Sequence, residues 1–173
     1  ALAGKDSWQV LGPLFVAAGY HKASNMSAAG TVGQQEADAR VYRVAAVYTL
    51  PTATKLTALY DNTKAENNVG GEFLKRQALS LGVAQSFGKN TVGLEYAHAF
   101  KVKDEAGTWD NSTANLWTLQ YGYELSKRTQ LHARLSRLSN GDNVNYTFYN
   151  NKVDNGVAAG DGSNYTGYMV GLR

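Results

Sequence analysis

Trp117-Thr-Leu-Gln-Tyr-Gly-Tyr-Glu-Leu-Ser-Lys-Arg-Thr-Gln-Leu-His-Ala-Arg-Leu135 decides the fold. Its first half sets Trp117, Leu119, Tyr121, Tyr123 and Leu125 against Thr118, Gln120, Gly122 and Glu124. Its second half sets Leu131, Ala133 and Leu135 against Gln130, His132 and Arg134. Alternation of period two is the mark of a strand with two unlike faces. Ser126-Lys-Arg128 lies between the halves and is too short for anything but a tight turn, so the stretch reads as an antiparallel hairpin.

The same scheme extends outward in both directions. Residues 14–22 place Leu14, Val16, Ala18 and Tyr20 on one row, and residues 40–50 place Tyr42, Val44, Ala46 and Tyr48 on another. Residues 54–62, 76–87 and 91–101 follow, with rows Leu56-Ala58-Tyr60, Leu79-Leu81-Val83-Phe87 and Val92-Leu94-Tyr96-Phe100. Residues 129–138 alternate until Arg137 and Leu138, where a bulge is one explanation. Residues 165–173 close the series, which gives about eight strands, with a piece of a ninth at 7–11 before Gly12-Pro13.

The connections carry a second rhythm. Pro51-Thr-Ala53, Gly88-Lys-Asn90 and Ser126-Lys-Arg128 are tight, whereas 23–39, 63–75, 102–112 and 140–164 read as long and polar. Short and long connections alternate, so the short ones share one end of the sheet. This is the arrangement of an all-β, antiparallel up-and-down transmembrane β-barrel, with short periplasmic turns and longer external loops. The turn centres repeat near 52, 89 and 127, but a propeller blade would fit four short strands into that interval, not two long ones.

Composition agrees with this reading. In 173 residues there are 18 glycines, 11 tyrosines, 2 prolines and no cysteine, so a disulfide scaffold and thiolate chemistry are excluded. No apolar run approaches the roughly 20 residues of a membrane helix, but a membrane strand needs only about 9–11, every second one apolar. The net charge of +3 is too small a basic bias to argue nucleic-acid binding. The start, Ala1-Leu-Ala-Gly-Lys5, lacks the apolar core of a signal peptide, and residues 1–173 are expected to be one barrel segment truncated at both ends.

Alternation alone leaves open whether the apolar rows face lipid or, as in a soluble carrier barrel, an interior. Three features favour lipid. Formal charge is nearly absent from these rows. Tyr20, Tyr42, Tyr48, Tyr60, Phe87, Phe100, Tyr123 and Tyr168 cluster near their ends, as an interfacial girdle would. The opposite rows are rich in Gly, Ala and Ser and carry Arg43, Lys55, Arg76, Glu95, Lys101, Glu124 and Arg134.

For the basic members of that set, Arg43, Lys55, Arg76, Lys101 and Arg134, two readings stand. As pore-lining groups they border water, and the basic excess favours anions. As structural groups they pair with Asp61, Glu95 and Glu124 and conduct nothing. If eight strands closed alone, side chains would fill the lumen and the protein would be an anchor or interaction barrel without an open pore. Other chemistry fails on spacing. His132 and Ser136 share a face with Glu124 nearby, but residues four apart on a strand are about 13 Å apart, beyond hydrogen-bonding reach for a catalytic set. His21, His98 and His132 lie on separate strands, so neither a metal nor any other cofactor is expected.

Tyr121-Gly-Tyr-Glu-Leu-Ser-Lys-Arg-Thr129 resembles the penultimate hairpin of Gram-negative general porins of the neisserial and betaproteobacterial type, in which a Tyr-rich strand meets a Leu-Ser-Lys-Arg-Thr turn. Val170-Gly-Leu-Arg173 is similar to that family's last strand, and Leu14-Phe-Val-Ala-Ala-Gly-Tyr-His-Lys-Ala-Ser-Asn25 to one of its middle strands. The resemblance implies the C-terminal half of a sixteen-stranded outer-membrane barrel that assembles as a homotrimer. It also implies passive diffusion of small hydrophilic solutes and ions through a water-filled pore. Two departures stand out: the family's terminal Phe is absent after Arg173, and the N-terminal half with its constriction loop is not represented.

Overall fold

The computed structural model describes residues 7–11, 13–27, 36–67, 73–148 and 162–172. Alternating sequence becomes strand throughout: β1 (Ser7–Leu11), β2 (Leu14–Ser27), β3 (Glu36–Thr49), β4 (Thr54–Asn67), β5 (Phe73–Phe87), β6 (Asn90–Ala99), β7 (Lys103–Asp104), β8 (Gly107–Thr108), β9 (Ala114–Ser126), β10 (Thr129–Asn140) and β11 (Tyr165–Leu172). All pair antiparallel in one sheet, in the order β1-β2-β3-β4-β5-β6-β9-β10-β11, with β7 and β8 as a side hairpin on β5. This is an up-and-down meander, and the expected ninth strand at 7–11 is present.

The tight connections fall where expected, and the backbone shows why. Gly88 has φ +59°, which a two-residue hairpin turn demands and glycine adopts without strain. Ala53 takes a similar φ of +60°, closing a turn in which its N–H donates to the Leu50 carbonyl at 3.0 Å.

Several boundaries differ from the sequence reading. β2, β3 and β4 each run 14 residues and β5 runs 15, so the connections expected at 23–39 and 63–75 shrink to 28–35 and 68–72, outside the described residues. The apolar pattern stops before the ladder does, because backbone pairing continues with charged side chains beyond the aromatic rows. At Arg137 and Leu138 there is no bulge: Arg137 pairs with Trp117 and Leu138 with Leu116 in unbroken register. The irregularity in β10 lies instead at Thr129/Gln130, and β2 carries another between Ala23 and Met26. Leu138 points to the polar face by register, opposite Leu116 and Tyr165, and is 6% exposed.

The sheet has almost no core. Among the described residues the buried apolar side chains are Val102, Ala114, Leu138 and Val144, all at the end opposite the tight turns. Large apolar side chains elsewhere lie open: Leu81, Leu119 and Leu135 are about half exposed, and Tyr168 is 87% exposed. A contiguous apolar surface of this extent needs a cover, and in an outer-membrane barrel that cover is lipid.

Candidate functional site

The register assigns every strand residue to a face. One cross-strand row reads Leu14, Tyr48, Leu56, Val83, Leu94, Leu119, Leu135 and Tyr168, each opposite the next. This apolar row defines the outer face. Tyr20, Tyr42, Tyr60, Phe87 and Tyr123 share it, with Tyr20 and Tyr42 stacked at 4.9 Å between ring centroids. Phe100 follows Ala99, the last residue of β6; its N–H still donates to the Gln77 carbonyl at 2.9 Å, and its ring meets His98 at 4.9 Å. Sequence reading left Tyr96 and Trp117 out of the aromatic set, although their rings meet at 4.4 Å on the same face. His98 accompanies them, its Nδ1 2.8 Å from Asn115 Oδ1.

The opposite face gathers six of the seven charged candidates. Arg43, Lys55, Arg76, Glu95, Glu124 and Arg134 occupy its rows, and all six are exposed. Lys101 does not join them. The chain leaves the β6 ladder because Val102 turns inward to burial and its N–H donates to Ser112 Oγ at 2.8 Å. Lys101 is thereby turned to the loop, where its ammonium meets Asp110 at 2.8 Å. The hydrogen bond from Lys101, reinforced by its charge, holds the Asp110 carboxyl below the usual carboxylate range.

The remaining charges pair less than a structural network would require. Arg43 directs Nε (2.9 Å) and Nη2 (2.6 Å) onto Asp61 Oδ2. Glu95 accepts from Ser80 Oγ at 2.7 Å, and Arg134 reaches Gln120 Oε1 at 3.4 Å. Among the described residues no ion pair involves Lys55, Arg76, Glu95, Glu124 or Arg134.

Small residues on this face do more than leave space. Gln120 lies across Gly93 and Gln130 across Gly122, so close that an added Cβ would stand 2.5 Å and 2.8 Å from their amide nitrogens. The glycines let long polar side chains lie flat on the wall. Between them is a shallow hollow of about 410 Å³ bordered by Thr91, Gln120, Gln130, His132, Arg134 and Met169. His132 and Ser136 do not meet: the His132 ring lies over Gly171, and Ser136 Oγ is 3.0 Å from Thr118 Oγ1. Among the described residues no group of three His, Cys, Asp or Glu side chains could hold a metal.

The last long connection, expected as an external loop, turns inward where it is described. The Arg76 guanidinium sits 5.5 Å from the Tyr146 ring centroid, and Phe148 lies over Gly167 on the polar face. Asn140 anchors the turn by donating from Nδ2 to the carbonyls of Tyr146 (2.9 Å) and Ser163 (2.6 Å). Residues 149–161 of this connection lie outside the described residues. An Asn/Gly-rich composition gave no sign of this packing.

Known proteins resemble this arrangement. A family model described as Gram-negative porin matches residues 4–143. The outer membrane porin protein 32 of Delftia acidovorans is 34% identical over 121 residues, an alignment covering 69% of this chain and 32% of that protein. Two solved structures of OmpT, an outer membrane protein of Vibrio cholerae, share the fold. The in-vitro folded protein superposes with a TM-score of 0.69 at 16% identity, over 80% of this chain and 45% of that one. Its trimer form gives 0.70 at 15% identity, over 99% and 54%. The chain thus spans about a third of the curated relative, 32%, and about half of the solved structures, 45% and 54%.

Proposed function

The chain belongs to the Gram-negative porin family, and from that premise we propose that it forms about half of the wall of a water-filled diffusion pore in the outer membrane. The observation that carries the reading is the segregation of the two faces. Six charged side chains stand exposed on the face opposite a continuous Leu and aromatic surface, and five of the six have no ion-pair partner among the described residues. Uncompensated charges in a closed, dry interior would be costly, so this face is read as bordering water.

The sheet's two edges support the half-wall reading. β1 and β11 end the strand order without pairing with each other, and a sheet edge within lipid leaves backbone groups unsatisfied. Further strands of the family's sixteen would close it. A small self-contained barrel of eight strands finds no support in a nine-strand open path. The Tyr and Phe side chains at the ends of the outer face are assigned to the interfacial girdle. A homotrimer is the assembly proposed, in line with the trimer form of the OmpT structure.

On the polar face, Arg43 and Asp61 cancel each other, leaving Lys55, Arg76 and Arg134 against Glu95 and Glu124. The pore is therefore a weakly anion-favouring one, passing small hydrophilic solutes without chemistry upon them. Planar-bilayer recording of the full-length protein tests this. Stepwise currents are expected, with a reversal potential in a KCl gradient on the chloride side. Replacing Lys55, Arg76 and Arg134 by Gln is expected to move it toward potassium, and the absence of discrete conductance steps would end the pore reading.

A further inference from the structure

Beyond the aromatic end of the outer face runs a row of cations. Lys22 lies opposite Arg40, Arg40 opposite Lys64, Lys64 opposite Lys75, and Lys75 opposite Lys103. Five positive charges thus sit side by side across β2, β3, β4, β5 and β7. Like charges directly opposite in a sheet repel, so such a row is destabilising unless anions meet it. The described side chains of this face supply two, Asp38 and Glu66. Lys22 reaches Asp38 at 3.3 Å, while Arg40 (3.3 Å) and Lys64 (2.5 Å) share Glu66. Among the described residues Lys75 and Lys103 have no ion pair. Among the described side chains the row keeps a net excess of three charges.

Its height on the wall identifies what meets it. Lys22 and Arg40 each lie two residues beyond the stacked Tyr20 and Tyr42, a rise of about 7 Å along a strand. Aromatic rings on the lipid face settle at the level where hydrocarbon gives way to headgroups. One step further out is the headgroup layer. The row is at the end of the long connections, which in outer-membrane barrels is the external side. Long Lys and Arg stems lie along apolar surface while their charged ends reach phosphate.

We propose that Lys22, Arg40, Lys64, Lys75 and Lys103 form a binding strip for the phosphate groups of anionic lipid in the outer leaflet, seated on the outside of the barrel just above the tyrosines. The inference rests on the membrane placement of the outer face and is independent of whether the other face conducts. Charge complementarity commits the strip to lipid: a face that the barrel turns to the bilayer meets headgroup phosphates continuously, and a soluble anion only in passing.

Native mass spectrometry of the full-length protein in detergent tests it, with bisphosphorylated lipid A and the same lipid stripped of phosphate as probes. The triple variant Lys64→Gln, Lys75→Gln, Lys103→Gln is expected to bind the bisphosphorylated lipid roughly a hundredfold more weakly, at about fivefold per cation lost. Binding of the stripped lipid should not change, and Lys127→Gln with Arg128→Gln at the tight-turn end should retain full binding. Lys75→Gln alone, expected to weaken binding about fivefold, serves where the triple variant does not fold. Equal binding by the variants, or equal binding of the two lipids, overturns the proposal. So does displacement by millimolar pyrophosphate, which would reassign the strip to free phosphate. Subunit dissociation in the triple variant without loss of lipid would place another subunit against the row and overturn it as well.

Discussion

The outer and inner faces of this sheet share one backbone and differ by a single residue step, yet they answer to different solvents. On the outer face the exposed residues are Leu81, Leu119, Leu135 and their neighbours, and no described residue covers them. On the inner face the exposed residues are charged, while glycines seat flat-lying glutamines and the loops bring their few buried side chains inward. In a soluble protein stability would be sought in the core. Among the described residues a core hardly exists, and the difference teaches that the ladder and the surroundings carry the fold.

The sharpest way to break this comparison is to place the same charge on both faces. Leu119→Arg, at mid-strand on the outer face, is expected to cost about 2–4 kcal/mol, the cost of a cation near the bilayer midplane. Gln120→Arg, one residue on, should stay within about 0.5 kcal/mol, as surface substitutions do. Urea titrations of the full-length barrel refolded into vesicles would measure both. Equal costs would mean that the faces are wrongly assigned.

A smaller effect tests a buried hydroxyl just before β9. Ser112 is fully buried, accepts from the Val102 N–H at 2.8 Å and donates to the Trp109 carbonyl at 2.7 Å. Ser112→Ala strands both backbone groups and is expected to cost about 1–3 kcal/mol. Smaller again, Tyr146→Ala removes the ring over Arg76 and should cost about 0.5–1 kcal/mol, with a measurable rise in conductance if the in-turned loop narrows the opening. Smallest is the exposed Lys101–Asp110 pair. Because the folded carboxyl is held below its ordinary value of 3.8, its contribution is present above that pH and lost as pH falls through the lowered folded value. An NMR titration should find the Asp110 midpoint below 3.8 and, in Lys101→Gln, back near it.

These contrasts also show what the sequence made legible. Wherever lipid and water face each other across the sheet, every second residue reports it, and Arg43, Lys55, Arg76, Glu95, Glu124 and Arg134 were legible for that reason. Past the aromatic rows neither face is apolar, the pattern fades, and the strands carrying Lys22, Arg40 and Lys64 run on past the point where alternation marks them. Lys101 lies outside the paired rows because β6 ends at Ala99; Val102, two residues after Phe100, is buried, so alternation is no guide there. Leu138 breaks the alternation in composition and not in register: it pairs with Leu116 and Tyr165 and is buried on the polar face. The inward turn of Tyr146 and Phe148 involves Asn140 and Arg76 at Tyr146 and Gly167 at Phe148, residues of three separate strands.

The cross-strand register has a consequence for how a solute would travel. Lys55 and Arg134 belong to one row on the inner face, through Ala84, Gly93 and Gln120. Yet Lys55 is the second residue of β4 after its tight turn and Arg134 is the sixth of β10 after its own. Four residues of strand separate their depths, about 13 Å of rise along the strand. Charges that are neighbours along the hydrogen-bonded row are therefore not a ring at one level. They climb the wall as a ramp, and in the proposed pore an ion descending past them would exchange one partner for the next in turn.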